Sequence, residues 1–120
     1  MAKILVVDDY VITQRVLATT LRKKGHIVIM AANGQAALDC LTKNDIDLVI
    51  ADITMPQMDG LTFLQVLRAD ERYKDLPVIV FTALKTVQVH QTARVRGAND
   101  ILVKPTGSLQ IVETVNRLLM

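Results

Sequence analysis

The stretch from residue 48 to residue 60, LVIADITMPQMDG, decides the fold class of this 120-residue sequence. Its first four residues, Leu48–Ala51, form a continuous apolar run, the pattern of a strand that is buried on both faces. Asp52 ends the run, and turn residues lead to a helical pattern from about Gly60 to Glu71, in which leucines recur every three residues. A buried strand followed by an amphipathic helix indicates an α/β fold with parallel strands.

Four further apolar runs lie on either side of this stretch, at intervals too long for hairpins and long enough for crossover helices. They are Ile4–Val7, Ile27–Met30, Val78–Phe81 and Ile101–Val103. The spacers carry helical patterns over Val11–Lys24, Ala36–Lys43, Thr86–Arg96 and Leu109–Leu119. Right-handed crossovers place such helices on both faces of a sheet. We therefore predict an α/β fold with a doubly wound five-stranded parallel sheet of order 2-1-3-4-5, the flavodoxin-like (βα)5 arrangement.

Two of these helices have an apolar repeat that predicts which residues face the sheet. In the first helix the repeat consists of Ile12, Val16, Leu17 and Leu21. In the last helix it consists of Leu109, Val112, Val115 and Leu119. Both repeats follow the spacing of an amphipathic helix that packs on a core.

Composition restricts the class of protein further. Hydrophobic residues make up 51% and charged residues 22%, and 14 basic against 12 acidic residues leave a net charge of +2. This small, mixed charge indicates neither nucleic-acid binding nor a membrane surface. No apolar run approaches the ~20 residues that span a bilayer, and the N-terminus lacks a secretory pattern. We expect a cytoplasmic protein without membrane insertion, with a single domain over residues 1–120 and no output domain in this chain.

The residues that follow the strands are polar and chemically related. Asp8 and Asp9 follow the first strand, Asp52 the third, Thr82 the fourth and Lys104 the fifth. Because the carboxyl ends of parallel strands lie at one edge of the sheet, we expect these side chains to converge. Close carboxylates repel one another unless a cation shares the site, and Mg²⁺ prefers carboxylate and phosphoryl oxygens. A carboxylate can also hold a covalent phosphoryl group, so the pattern predicts a site for Mg²⁺ and phosphoryl chemistry.

Each of these residues also has a structural interpretation that the residues alone leave open. Asp8 and Asp9 are favoured caps for the first helix, and Asp52 could be a loop residue before a turn. Thr82 could be an ordinary strand-end residue, and Lys104 a solvated lysine. The convergence of all of them at one edge favours the functional interpretation.

Six short motifs follow one another along the chain. They are Val7-Asp8-Asp9, Asp52-Ile53-Thr54-Met55-Pro56, Met58-Asp59-Gly60, Thr82-Ala83, Gly97-Ala98-Asn99-Asp100 and Val103-Lys104-Pro105. In this order and spacing they resemble the receiver domain of two-component response regulators, including the single-domain chemotaxis type, and the resemblance runs from Lys3 to about Leu119.

The resemblance implies roles for the residues at the strand ends. Asp52 would be the phosphoacceptor, and Asp8, Asp9 and Asp52 would bind Mg²⁺ together with the backbone carbonyl of Thr54. Thr82 and Lys104 would contact the phosphoryl group. The peptide bond between Lys104 and Pro105 would be cis.

Three positions depart from the commonest pattern of the family that the sequence resembles. Ile101 stands where an aromatic ring usually changes rotamer together with the threonine. We therefore expect the switch to depend on backbone movement of the loop that begins with Ala83. Thr54 and Leu84 stand where side chains usually help to position a hydrolytic water. Threonine can make one hydrogen bond there and leucine none, which leads to the hypothesis of a comparatively long-lived acyl phosphate.

The resemblance implies a signalling role and no separate substrate turnover. The domain would take a phosphoryl group from a phosphohistidine on a sensor histidine kinase or a histidine phosphotransfer protein and hold it on Asp52. A changed surface of the fourth helix, fifth strand and fifth helix would then meet a downstream protein target, with no direct contact to nucleic acid. His90, on the fourth helix, is expected to be a surface or interface residue.

Two other functions remain open at this point. One is a Mg²⁺-dependent phosphatase with an aspartyl-phosphate intermediate, and the other is a pseudo-receiver that binds partners without phosphorylation. The chain is either a free-standing receiver or one domain of a longer protein.

Overall fold

A computed structural model describes residues 1–120, in which strands and helices alternate five times. The strands are β1 (Lys3–Val7), β2 (Ile27–Ala31), β3 (Leu48–Ala51), β4 (Val78–Thr82) and β5 (Asp100–Val103). The helices are α1 (Val11–Arg22), α2 (Gly34–Lys43), α3 (Gly60–Ala69), α4 (Val87–Val95) and α5 (Ser108–Leu119). A short 3₁₀ turn over Glu71–Tyr73, which the sequence did not predict, follows α3.

The five strands form one parallel sheet in the order β2-β1-β3-β4-β5, which confirms the predicted fold class. The register pairs Val7 with Ala51, and Thr82 with Val103. These pairs are the last residues of their strands. The residues that follow β1, β3, β4 and β5 therefore emerge at one edge of the sheet.

Helices cover both faces of the sheet. Successive residues of a strand point to opposite faces, so each strand contributes side chains to both layers of the core. On one face Ile4 and Val6 of β1 pack with α1 and α5, and on the other face Leu5 and Val7 pack with α2 and α3. These four residues of β1 are fully buried, and only Lys3 at its start is not. This two-layered core agrees with the continuous apolar runs in the sequence.

The apolar repeat of α1 corresponds only in part to its buried face. Leu17 and Leu21 are buried, but Ile12 is 59% exposed and Val16 is 52% exposed. Neighbouring residues lie about 100° apart around a helix, so Leu17 is buried while Val16 beside it remains half-exposed. Leu109 of α5 is also largely exposed, whereas Val115 lies in the core.

Side-chain caps explain where two of the helices begin and end. Asn33 accepts a hydrogen bond from the amide of Ala36, and α2 therefore begins at Gly34, before the predicted Ala36. After Ala69 the Asp70 side chain accepts from the amide of Arg72, so the chain leaves α3 and starts the 3₁₀ turn. None of the helices is long and apolar enough to span a membrane.

Candidate functional site

An ammonium group links two carboxylates at the carboxyl edge of the sheet. Nζ of Lys104 lies 2.8 Å from Oδ2 of Asp8 and 3.0 Å from Oδ2 of Asp52. The side chains of Asp8, Asp52 and Lys104 are only 2%, 12% and 18% exposed. Hydrogen bonds between ionised groups at such distances are stronger than neutral ones, and low exposure reduces their screening by water. The lysine is therefore not a solvated surface residue.

The backbone fixes both carboxylates in place. The amide of Asp8 bonds to the carbonyl of Ala31, and the amide of Asp52 bonds to the carbonyl of Val7, so both residues continue the sheet. The free Oδ1 atoms are also held: that of Asp8 accepts from the amide of Tyr10 at 2.9 Å, and that of Asp52 accepts from the amide of Ile53 at 2.7 Å. Each side chain thus has two fixed partners.

The alternative role of Asp8 and Asp9 as helix caps is not what the structure shows. The residue before α1 is Tyr10, and no side chain caps this helix. Asp8 points instead toward Lys104, and Asp9 is exposed beside it. The acidic pair therefore belongs to the sheet edge and not to the helix end.

Burial, hydrogen bonds and charges at this edge shift the pKa values of Asp8 and Lys104. Burial raises the pKa of the Asp8 carboxyl, and hydrogen bonds from Lys104 and the Tyr10 amide offset only part of that effect. Burial alone would lower the pKa of Lys104, but the hydrogen bonds to Asp8 and Asp52 and their negative charges outweigh it and raise the pKa. One ammonium thus faces an excess of negative charge.

Oxygen atoms of Asp8, Asp9 and Asp52 all lie within 4.8 Å of one another. Carboxylate oxygens grouped in this way are the donors that a hard divalent cation prefers, with ligand distances of ~2.0–2.1 Å for Mg²⁺. Small adjustments of the side chains would let the three share one ion. Thr54, two residues beyond Asp52, lines a cavity together with Asp9, Asp52 and Lys104.

The loop between β3 and α3 folds back tightly behind Asp52. The amide of Gly60 bonds to the carbonyl of Ile53 at 2.8 Å. A Cβ atom at position 60 would overlap the backbone carbonyl of Asp52. Only glycine allows this close approach of α3 to the end of β3, and the approach in turn holds the backbone of Asp52.

Thr82 lies at the end of β4 and is fully buried. Its Oγ1 accepts a hydrogen bond from the amide of Leu84 at 3.1 Å, and its carbonyl accepts from the amide of Lys104 at 2.8 Å. It makes no hydrogen bond with Asp52. Ala83 and Leu84, which follow it, are both exposed.

Ile101 and Pro105 complete the predicted set. Ile101 is half-buried and packs on a small apolar cluster of Ile53, Val80 and Ala93 beneath α4. The peptide bond between Lys104 and Pro105 is cis.

Part of the lining of the site is apolar, and the sequence did not predict it. A cavity of about 760 Å³ is lined by Asp9, Asp52, Thr54 and Lys104. Its lining also includes Tyr10, Ile12 and Val16 of the α1 region together with Ala83 and Pro105. The sequence does contain a pattern that indicates this apolar lining, because Ile12 and Val16 form a second apolar stripe on α1 beside the stripe that packs on the sheet.

The fold and the arrangement of acidic residues, lysine and threonine define a known class of signalling domain. The family model of the response regulator receiver domain matches residues 4–116, and the chain belongs to this family.

Individual relatives and solved structures match most or nearly all of the chain. The chemotaxis protein CheY homolog of Campylobacter jejuni is 40% identical over 105 residues, which cover 86% of this chain and 81% of the relative. The crystal structure of the Vibrio cholerae chemotaxis protein CheY4 has 34% identity and a TM-score of 0.94, and covers 99% of both chains. The response regulator TrrA of Thermotoga maritima has 32% identity and a TM-score of 0.88, and covers 99% of this chain and 100% of its own.

Proposed function

We propose that this chain, as a single receiver domain over residues 1–120, is the phosphoacceptor of a two-component phosphorelay. Its Asp52 takes a phosphoryl group from a phosphohistidine on a sensor histidine kinase or a histidine phosphotransfer protein. The observation that carries the proposal is the pair of hydrogen bonds from Lys104 to Asp8 and Asp52 at 2.8 and 3.0 Å. These bonds place a cation beside Asp52, the carboxylate that is partly accessible and whose backbone is hydrogen-bonded into the sheet.

The donor set fits Mg²⁺, since it offers three carboxylates, and Thr54 lines the same cavity two residues beyond Asp52. TrrA of Thermotoga maritima, which shares this fold, has been solved in complex with Mg²⁺-BeF. We propose that Asp8, Asp9, Asp52 and the Thr54 carbonyl hold the ion here. When bound, it would neutralise negative charge on the transferring phosphoryl oxygens.

In the transfer step a carboxylate oxygen of Asp52 attacks the phosphorus atom of the donor. The new P–O bond forms as the P–N bond breaks, and the electron pair of that bond goes to the imidazole nitrogen. The donor leaves as neutral imidazole when its other ring nitrogen carries a proton. Positioning and charge neutralisation supply most of the catalysis in such transfers, and no separate base is needed because Asp52 reacts as the carboxylate.

Lys104 and Thr82 would act on the phosphoryl oxygens. Nζ of Lys104 already lies beside Asp52, so a small rotation brings it from the carboxylate to a phosphoryl oxygen. The Thr82 oxygen accepts from Leu84, which leaves its own hydroxyl hydrogen free to bond a phosphoryl oxygen. Both groups are held by β4 and β5, so little ordering is required at the moment of transfer.

The output surface that we propose consists of α4, β5 and α5. Asp100 of β5 forms ion pairs with Arg94 of α4 and Arg117 of α5, so the three elements share one surface. Val87 and Val95 are exposed on α4. A downstream protein target would meet this mixed apolar and basic surface after phosphorylation changes the adjoining loop.

The test is a mass measurement after incubation with Mg²⁺ and acetyl phosphate. One added phosphoryl group is expected on the wild type and none on Asp52→Asn. Asp39→Asn, which alters an exposed aspartate on α2, is the matched control and should be phosphorylated like the wild type. Catalytic turnover of many phosphate esters per chain would support the phosphatase alternative, and absence of any adduct would support a pseudo-receiver.

A further inference from the structure

His90 makes a contact that the sequence did not predict. Its Nε2 lies 2.8 Å from the backbone carbonyl oxygen of Leu84, in the loop between β4 and α4. A carbonyl oxygen can only accept, so Nε2 carries the hydrogen and donates it. His90 belongs to the first turns of α4, and its own amide bonds to the carbonyl of Thr86. The ring therefore reaches back from the helix to the loop that precedes it.

The loop of residues 83–86 has few other attachments. All four residues are exposed. The backbone of Leu84 makes two hydrogen bonds, its amide to Oγ1 of Thr82 and its carbonyl to the ring of His90. No backbone–backbone hydrogen bond involves Leu84. The position of this loop is therefore decided largely by two side chains, one in the site and one on α4.

These two bonds connect Thr82 to His90 through a single residue. If the hydroxyl of Thr82 moves toward a phosphoryl group on Asp52, the amide of Leu84 either follows it or loses its acceptor. In the first case the Leu84 carbonyl is drawn away from His90. Ile101 packs on Ile53 and Val80 and has no ring that could swing, so movement of this loop is the available route for the signal.

We infer that His90 is a positioning residue that latches the loop of residues 83–86 and opposes the loop position adopted with a phosphoryl group on Asp52. This inference rests on the proposed phosphoacceptor function. A net hydrogen bond at a partly exposed position is worth about two- to tenfold in an equilibrium constant. Loss of the latch shifts the equilibrium of the loop toward the phosphoryl-bound position by that factor.

The first experiment tests the latch itself by NMR, in the absence of any phosphoryl group. Long-range ¹H–¹⁵N spectra of the imidazole are expected to show hydrogen on Nε2 of His90. His90→Ala should move the amide resonance of Leu84. His90→Gln, whose amide nitrogen can occupy the position of Nε2, should leave that resonance close to its wild-type position. A ring that carries its hydrogen on Nδ1 would refute the inference.

The second experiment measures the switch with Mg²⁺ and beryllofluoride as the phosphoryl probe. His90→Ala is expected to lower the midpoint of the beryllofluoride titration about two- to tenfold. His90→Asn, whose amide nitrogen lies nearer the Nδ1 position, should behave like His90→Ala, and His90→Gln like the wild type. Gln91→Ala, an exposed neighbour on α4, is the matched control and should leave the midpoint unchanged.

The outcomes separate the latch from the function on which it rests. A wild type that gives no beryllofluoride response contradicts the phosphoacceptor function, and the regulatory role of the latch with it. A wild type that responds with the same midpoint as His90→Ala overturns the latch alone. All variants change an accessible position on a helix. Alanine and glutamine are good helix formers, and asparagine is similar to the histidine that it replaces, so thermal unfolding should show that each variant remains folded.

Discussion

Replacing Gly60 by alanine tests whether the close approach of α3 to β3 holds Asp52 in place. The added Cβ would overlap the carbonyl oxygen of Asp52 and lie 2.9 Å from both the Asp52 carbonyl carbon and Cα of Ile53. Ordinary contacts between carbon atoms are about 3.5–4.0 Å. Because all three neighbours are backbone atoms, none can rotate away, and α3 must move away from the end of β3.

The cost of that movement has two parts. Overpacking of a dense interior typically costs about 1–3 kcal/mol. The hydrogen bond from the Gly60 amide to the Ile53 carbonyl, now 2.8 Å long, would be lost or stretched, at about 1 kcal/mol. Phe63 and Leu64, both buried in the core, would shift with the helix. We expect the free energy of unfolding to fall by about 2–4 kcal/mol.

Urea unfolding followed by circular dichroism measures this loss. The matched control is Gly107→Ala, because a Cβ there meets no atom within 4 Å and the residue precedes α5 in ordinary extended geometry. Its cost should not exceed about 1 kcal/mol, the difference between glycine and alanine at a helix N-cap. If Gly60→Ala is no less stable than Gly107→Ala, the proposed support of Asp52 by α3 is wrong.

Three further perturbations follow from the site and its surroundings. Leu84→Glu should shorten the lifetime of the phosphoryl group on the protein, measured as loss of the adduct mass, because a carboxylate can orient water where leucine cannot. Leu84→Met is the apolar control, and equal decay of the two variants would contradict the hypothesis that Leu84 prolongs the lifetime of the acyl phosphate. The raised pKa of Asp8 means that the folded protein binds a proton at this carboxyl more readily than the unfolded chain does. Without Mg²⁺, the stability of the wild type relative to Asp8→Asn should therefore fall as the pH rises from about 3.8 through the pKa of Asp8 in the folded protein. Urea unfolding of both proteins across that range checks the sign, and a rising difference would be inconsistent with it. Arg68→Ala should lower the free energy of unfolding by about 2–4 kcal/mol, because the guanidinium donates hydrogen bonds to the carbonyls of Gly97 and Tyr73. A loss below about 1 kcal/mol in urea unfolding would show that these bonds contribute little.

The strands and the functional residues at their ends were predictable because both depend on local sequence. A strand covered on both faces needs a continuous apolar run, and the first polar residue after the run marks the sheet edge. The register then brings Asp8, Asp52 and Lys104 together, although they are up to 96 residues apart in the sequence. Periodicity and topology were sufficient for this part of the site.

Contacts that depend on how two helices or loops meet were not predictable in the same way. On α1 two apolar stripes adjoin, and the packing of α1 against the sheet and α5 buries Leu17 and Leu21, while Ile12 and Val16 line the site. The bonds of Arg68 to the end of α4 and of His90 to the preceding loop join residues whose spacing has no pattern. Such contacts are set by tertiary geometry rather than by propensity.

The distribution of hydrogen bonds indicates which part of this site is rigid and which part can move. The backbones of Asp8 and Asp52 are bonded into the sheet, and Lys104 is bonded to the carbonyl of Thr82. Beyond Thr82 the loop is exposed, and the backbone of Leu84 is held only by side chains. Segments with few buried contacts and exposed hydrogen bonds open at the lowest free energy. A phosphoryl group at the rigid end would therefore change the structure first in the loop of residues 83–86, next to the surface of α4 that we propose as the output.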